Sequence, residues 1–120
     1  MSEKKGAEKR VQKLKTRCYY TDYVNHMIRF YLTTPDTLMT AGKRKADVMN
    51  WMAVQAVFHY LSDDDKQVLT DIFDTHYRIT EAVKIYCKKM GYDEDGPEWN
   101  RIWVLMTKTS AAIAKRRGLV

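Results

Sequence analysis

Chain breakers are scarce in this sequence. Two prolines and five glycines are spread over 120 residues, so long stretches lack the residues that end or kink helices. Cysteine is as sparse: Cys18 and Cys87 form no CxxC and neither has a histidine beside it. That excludes zinc-finger spacing and a disulfide-dense scaffold, and the two are read as reduced thiols. No apolar run approaches the roughly 20 residues that cross a bilayer. The amino-terminal MSEKKGAEKRVQKLK has charge without the apolar centre of a signal peptide. A cytoplasmic protein with no membrane contact is therefore expected. His26, His59 and His76 are far apart in sequence, and there is no nucleophile motif, Gly-rich phosphate loop or metal-ligand spacing. These absences point to a binding protein with no cofactor or metal, and away from an enzyme.

The composition, 45% hydrophobic, suits one compact domain with a substantial core. With breakers rare and helix formers common, the expected class is all-α, about five helices in a compact bundle. Residues 1–15 read as a basic flexible arm and 16–120 as a single helical domain. Charge is segregated. Residues 1–17 carry a net +5, 18–61 carry +1, 62–100 carry −5 and 101–120 carry +5. A polyanion would be met by the two ends, with the acidic middle turned away. Basic ends also occur on proteins that bind no polyanion.

A first helix is predicted over about Thr21–Leu32, with Tyr20, Val24, Met27, Ile28 and Tyr31 as its core face. Tyr19, Tyr20 and Tyr23 crowd its start and fit packing better than a base-stacking platform. His26 and Arg29 read as surface residues. Thr33-Thr34-Pro35 ends the helix, since the residue before proline is pushed out of helical backbone. The following loop carries Lys43, Arg44 and Lys45, which are candidate phosphate contacts or plain solvent-facing charge. Ala46–Tyr60, with Asp47 as its cap, is apolar around most of its circumference and reads as the central packing helix, or else a dimer interface. Its expected main face is Met49, Met52, Ala53, Ala56, Val57 and Tyr60. Ser62 with Asp65 three residues on resembles a capping box, which explains the run Asp63-Asp64-Asp65 better than a metal site does. Val68, Leu69, Ile72 and Phe73 then supply a core face.

The carboxy-terminal stretch, residues 81–118, reads as a short helix, a turn and a long helix. Thr80 is the expected cap of the short helix, Gly91 its left-handed terminator, and Pro97 the first residue of the long helix. Projected at about 100° per residue, Trp99, Ile102, Trp103, Met106, Thr109, Ser110 and Ile113 fall on one side. Arg101, Val104, Lys108, Ala111 and Lys115 fall on the other. The cations repeat every seven residues, which can set a row of positive charge against a phosphate backbone. The same projection also fits a solvated amphipathic helix.

From Leu61 onward, LSDDDKQVLTDIFDTHYRITEAVKIYCKKMG and IWVLMTKTSAAIAKRRGLV are similar to the ArpU-like and RinA-like late-gene activators of bacterial phages and mobile elements. Those families resemble the fourth region of sigma factors. The resemblance implies a helix-turn-helix at about 62–118, with Thr80–Met90 as its first helix and a recognition helix from near Pro97. It places Glu98, Asn100, Arg101, Val104 and Lys108 against DNA, with Lys88, Lys89, Lys115, Arg116 and Arg117 on phosphates. The turn YDEDGPE departs from the pattern in being longer and more acidic than the usual three residues. The leading expectation is a DNA-binding transcriptional regulator of a phage or mobile genetic element. The alternative is a phage- or element-encoded module that docks on a host protein complex and inhibits or redirects it. Duplex DNA is the first expected partner; RNA polymerase or another host protein, and a second copy in a homodimer, are the others considered.

Overall fold

A computed structural model describes residues 20–39 and 44–120. The expected arm at 1–15, Tyr19, Cys18 and Lys43 lie outside the described residues. The architecture is all-α, as expected, with five α-helices and no strand among the described residues. They are α1 (20–33), α2 (Lys45–His59), α3 (Asp63–Phe73), α4 (Ile79–Met90) and α5 (Pro97–Arg117), with a 3-10 turn at Asp36–Leu38 between the first two. One apolar core draws on all five: Val24, Met27 and Ile28 from α1, Val54 and Phe58 from α2, Leu69, Ile72 and Phe73 from α3, Val83 and Cys87 from α4, and Ile102, Met106 and Ile113 from α5.

Local chemistry sets four of the helix ends. The Ser62 hydroxyl accepts the Asp65 backbone N–H at 3.1 Å, satisfying one donor that the start of α3 would leave unpaired. Gly91 takes φ +77°, and the N–H groups of Gly91 and Tyr92 donate to the carbonyls of Lys88 and Cys87. Gly118 repeats this pattern at the end of α5, with Gly118 and Leu119 donating to Lys115 and Ala114. Both are the paired closure that a left-handed glycine permits. Pro97 opens α5, as its missing N–H allows.

Two expected caps are corrected. The α4 cap is Arg78, in extended backbone, and Thr80 is already inside the helix. The half-buried Ile79 packs on the core and begins the helix ahead of the hydroxyl. Asp47 lies in the first turn of α2, behind an Arg44 cap, and its carboxylate sits 3.6 Å from the Arg44 guanidinium.

The larger correction concerns which side of α2 is inside. Asn50, Trp51, Ala53, Val54 and Phe58 are buried. Met49, Met52 and Tyr60, expected on the main face, are 43, 58 and 83% exposed. Trp51 is held in by its indole N–H, which donates to the Thr34 carbonyl at 2.8 Å, and by the Tyr31 ring at 5.1 Å. Burying a tryptophan with its polar edge satisfied outweighs burying flexible methionines.

Arg29 is likewise no plain surface residue. Its guanidinium is half-buried and donates to the Phe73 carbonyl at 3.1 Å and to the Tyr77 carbonyl. It thus caps the end of α3, where orphan carbonyls and the negative end of the helix dipole favour a cation.

Candidate nucleic-acid interface

The long helix α5 is packed on one side and open on the other. Ile102, Met106, Thr109, Ser110, Ile113 and Ala114 are buried, while Trp99 and Trp103 are half-buried and meet edge to face at 6.0 Å. Opposite them, Arg101, Val104, Lys108, Ala111 and Lys115 are all exposed. At 1.5 Å per residue, the seven-residue steps put Arg101, Lys108 and Lys115 about 10 Å apart in line, over roughly 20 Å. No acidic side chain forms an ion pair with any of the three among the described residues. Val104, 51% exposed, adds an apolar group to this cationic row.

The turn before α5 is built rather than loose. Asp95 takes φ +62°, and the Asn100 amide donates to its carbonyl at 3.3 Å. A Cβ on Gly96 would come within 2.9 Å of the Asp93 carbonyl oxygen, so the chain can close there only with glycine. One acid of this turn is turned back toward α4: Glu94 lies 3.8 Å from the Lys84 ammonium. Asn100 therefore helps to hold the turn while remaining exposed, and Glu98 is half-buried in the first turn of α5.

The remaining candidates fall in two places. Lys88 and Lys89 are exposed on the last turn of α4, beside the turn that leads into α5. Lys115, Arg116 and Arg117 form the last turn of α5. The helices α2 and α5 run antiparallel: Tyr60 and Leu61 at the end of α2 share a groove with Lys108 and Thr109, while Asn50, near its start, meets Arg117. Arg44 and Lys45 at the start of α2 therefore lie at the same end of the pair as the last turn of α5. Lys115 and Arg116 also line the groove beside Ala56, Val57 and Tyr60, whereas Arg117 meets Asn50 nearer the start of α2.

Arg117 differs from its neighbours. It is half-buried, and its Nε donates to Asn50 Oδ1 at 2.6 Å. The Asn50 amide in turn donates to the Tyr23 hydroxyl at 2.8 Å, so one buried asparagine joins α1, α2 and α5. Sequence reading placed neither Asn50 nor Tyr23 in a network, because their partners stand far off in the chain.

Among the described residues there is no group of three or more His, Cys, Asp or Glu placed to hold a metal ion, and no helix long and apolar enough to cross a membrane. The Cys87 thiol is buried, and burial pushes its pKa up, with Glu94 and Glu98 adding to the rise. A thiol held protonated is a poor nucleophile. Comparison with models of known protein families, with curated proteins and with solved structures gives no match.

Proposed function

We propose that this chain is a DNA-binding transcriptional regulator of a bacterial phage or mobile genetic element, with α4, the turn 91–96 and α5 acting as its helix-turn-helix. The observation that carries the reading is the unpaired row Arg101, Lys108 and Lys115 on the exposed side of α5. A helix fixed to a core on one side and cationic on the other fits a major groove, where it is drawn in by release of counterions from the phosphates. Val104, between Arg101 and Lys108, is placed to touch a thymine methyl, and Asn100 and Glu98 lie toward the entering end of the helix. Arg116 beside Lys115, and Arg44 and Lys45 at the start of α2, add positive charge beyond the row. The acids Asp93 and Asp95 of the turn and Glu98 lie at the entering end of the helix, ahead of the row.

The test is binding of the full chain to duplexes from a mobile-element promoter region and to random duplexes, by fluorescence anisotropy. Salt-sensitive binding with a preference among duplexes is the expected result. Absence of binding at low salt would contradict the proposal.

A further inference from the structure

The exposed side of α2 carries a stripe that no described residue covers. Met49, Met52 and Tyr60 are open to solvent, and with the half-buried Ala56 they follow at spacings of three, four and four residues, which keeps them in one line along about three turns. The stripe borders an open groove of about 570 Å³ whose other wall includes Arg116 and Arg117. A continuous apolar face rimmed by polar groups marks a contact surface.

Two features choose its occupant. The first is register. Laid against itself in the antiparallel sense, the stripe pairs Met49 with Tyr60 and Met52 with Ala56, so a large side chain meets a small one near the centre, where the neighbouring exposed residue is the uncharged Gln55. The second is charge. Arg44 and Lys45 open α2, whereas Asp63, Asp64 and Asp65 follow its other end. Other charges lie nearby: Asp47 is already paired with Arg44, Lys66 stands beside the aspartates, and Lys108, Lys115 and Arg116 flank the groove along the second half of α2. An antiparallel pair brings the basic end of each copy to the acidic end of the other, twice; a parallel pair would set like charges together.

We propose that this face of α2 is a two-fold dimerisation surface whose occupant is α2 of a second copy, in antiparallel register, with Arg44 and Lys45 set against the partner copy's acidic end. The dimer carries two α5 helices, of which Lys108 and Lys115 border the groove beside Ala56 and Tyr60. It rests on α2 and does not depend on DNA binding.

Sedimentation equilibrium of the full chain without nucleic acid tests it. The wild type is expected in a monomer–dimer equilibrium. Met52→Glu is expected to weaken the dimer about tenfold or more, since it puts a carboxylate into the apolar contact. Lys45→Glu should weaken it about threefold, and combining Lys45→Glu with Asp64→Lys should restore it. Met52, Lys45 and Asp64 are exposed, so far-UV circular dichroism should be the same for all variants. A wild type still monomeric at about 100 μM would overturn the proposal and leave the stripe to a host protein. A dimer unmoved by Met52→Glu, or one that the charge swap fails to restore, would overturn it equally.

Discussion

Arg117 and Asn50 are 67 positions apart and meet at 2.6 Å, joining the last turn of α5 to the buried side of α2. The contact fixes the end of the long helix on the body of the protein. A guanidinium beside a buried amide oxygen makes a charge-assisted bond, and the Tyr23 hydroxyl satisfies the other end of that amide.

Asn50→Ala strands both partners in a half-buried setting. The expected loss is about 1–3 kcal/mol in unfolding free energy, read from the urea midpoint. Arg117→Ala should destabilise similarly, whereas Arg116→Ala, at an exposed position, should stay within about 0.5 kcal/mol. Equal effects at 116 and 117 would contradict the strut.

Thr109 lies against the core at 3% exposure, and its hydroxyl has no hydrogen-bond partner among the described residues. Thr109→Val keeps the shape and removes the desolvated oxygen. A stabilisation of about 1 kcal/mol is expected by thermal or urea unfolding; a destabilised variant would show that the hydroxyl is satisfied.

Cys87 should resist alkylation while the fold holds. In a Cys18→Ser variant, iodoacetamide should modify Cys87 at least about 100-fold more slowly in native buffer than in urea. Its folded pKa is raised above the unfolded value, so the native state keeps a proton that the unfolded chain has lost. The associated stability is complete below the ordinary thiol pKa of about 8.5 and declines as pH rises through the raised value. Tyr31 and Tyr86, also pushed up by burial, add to the decline above about pH 10. A melting temperature that holds steady from pH 8 to 11 would contradict this.

What the sequence made legible was what its neighbours decide. The Ser62 cap, the Gly91 terminator and the Pro97 start depend on contacts within a few residues, and the packed side of α5 follows from a strong contrast between apolar and charged positions. The orientation of α2 was hidden, because a helix that is apolar nearly all round offers the periodicity no preferred side. The tryptophan that settles it does so through Thr34 and Tyr31, both outside the helix. The anchoring of Arg29, read as a surface residue, and of Arg117, read as a phosphate contact, was hidden for a related reason: the carbonyls and the amide that hold them lie 44 to 67 positions away. In the candidate interface the seven-residue row was visible at once. The setting of Lys108 and Lys115 beside the second half of α2 depends on the antiparallel packing of α2 and α5, which no local pattern encodes.

The most direct measurement is the salt dependence of duplex-DNA binding for the wild type and for the Arg101→Ala, Lys108→Ala double variant. Each phosphate contact contributes about 0.9 to the slope of log affinity against log salt. If the α5 row lies on the phosphates, the double variant should bind more weakly and its slope should fall by roughly 1.8. Affinity and slope equal to those of the wild type would remove α5 from the interface and contradict the account.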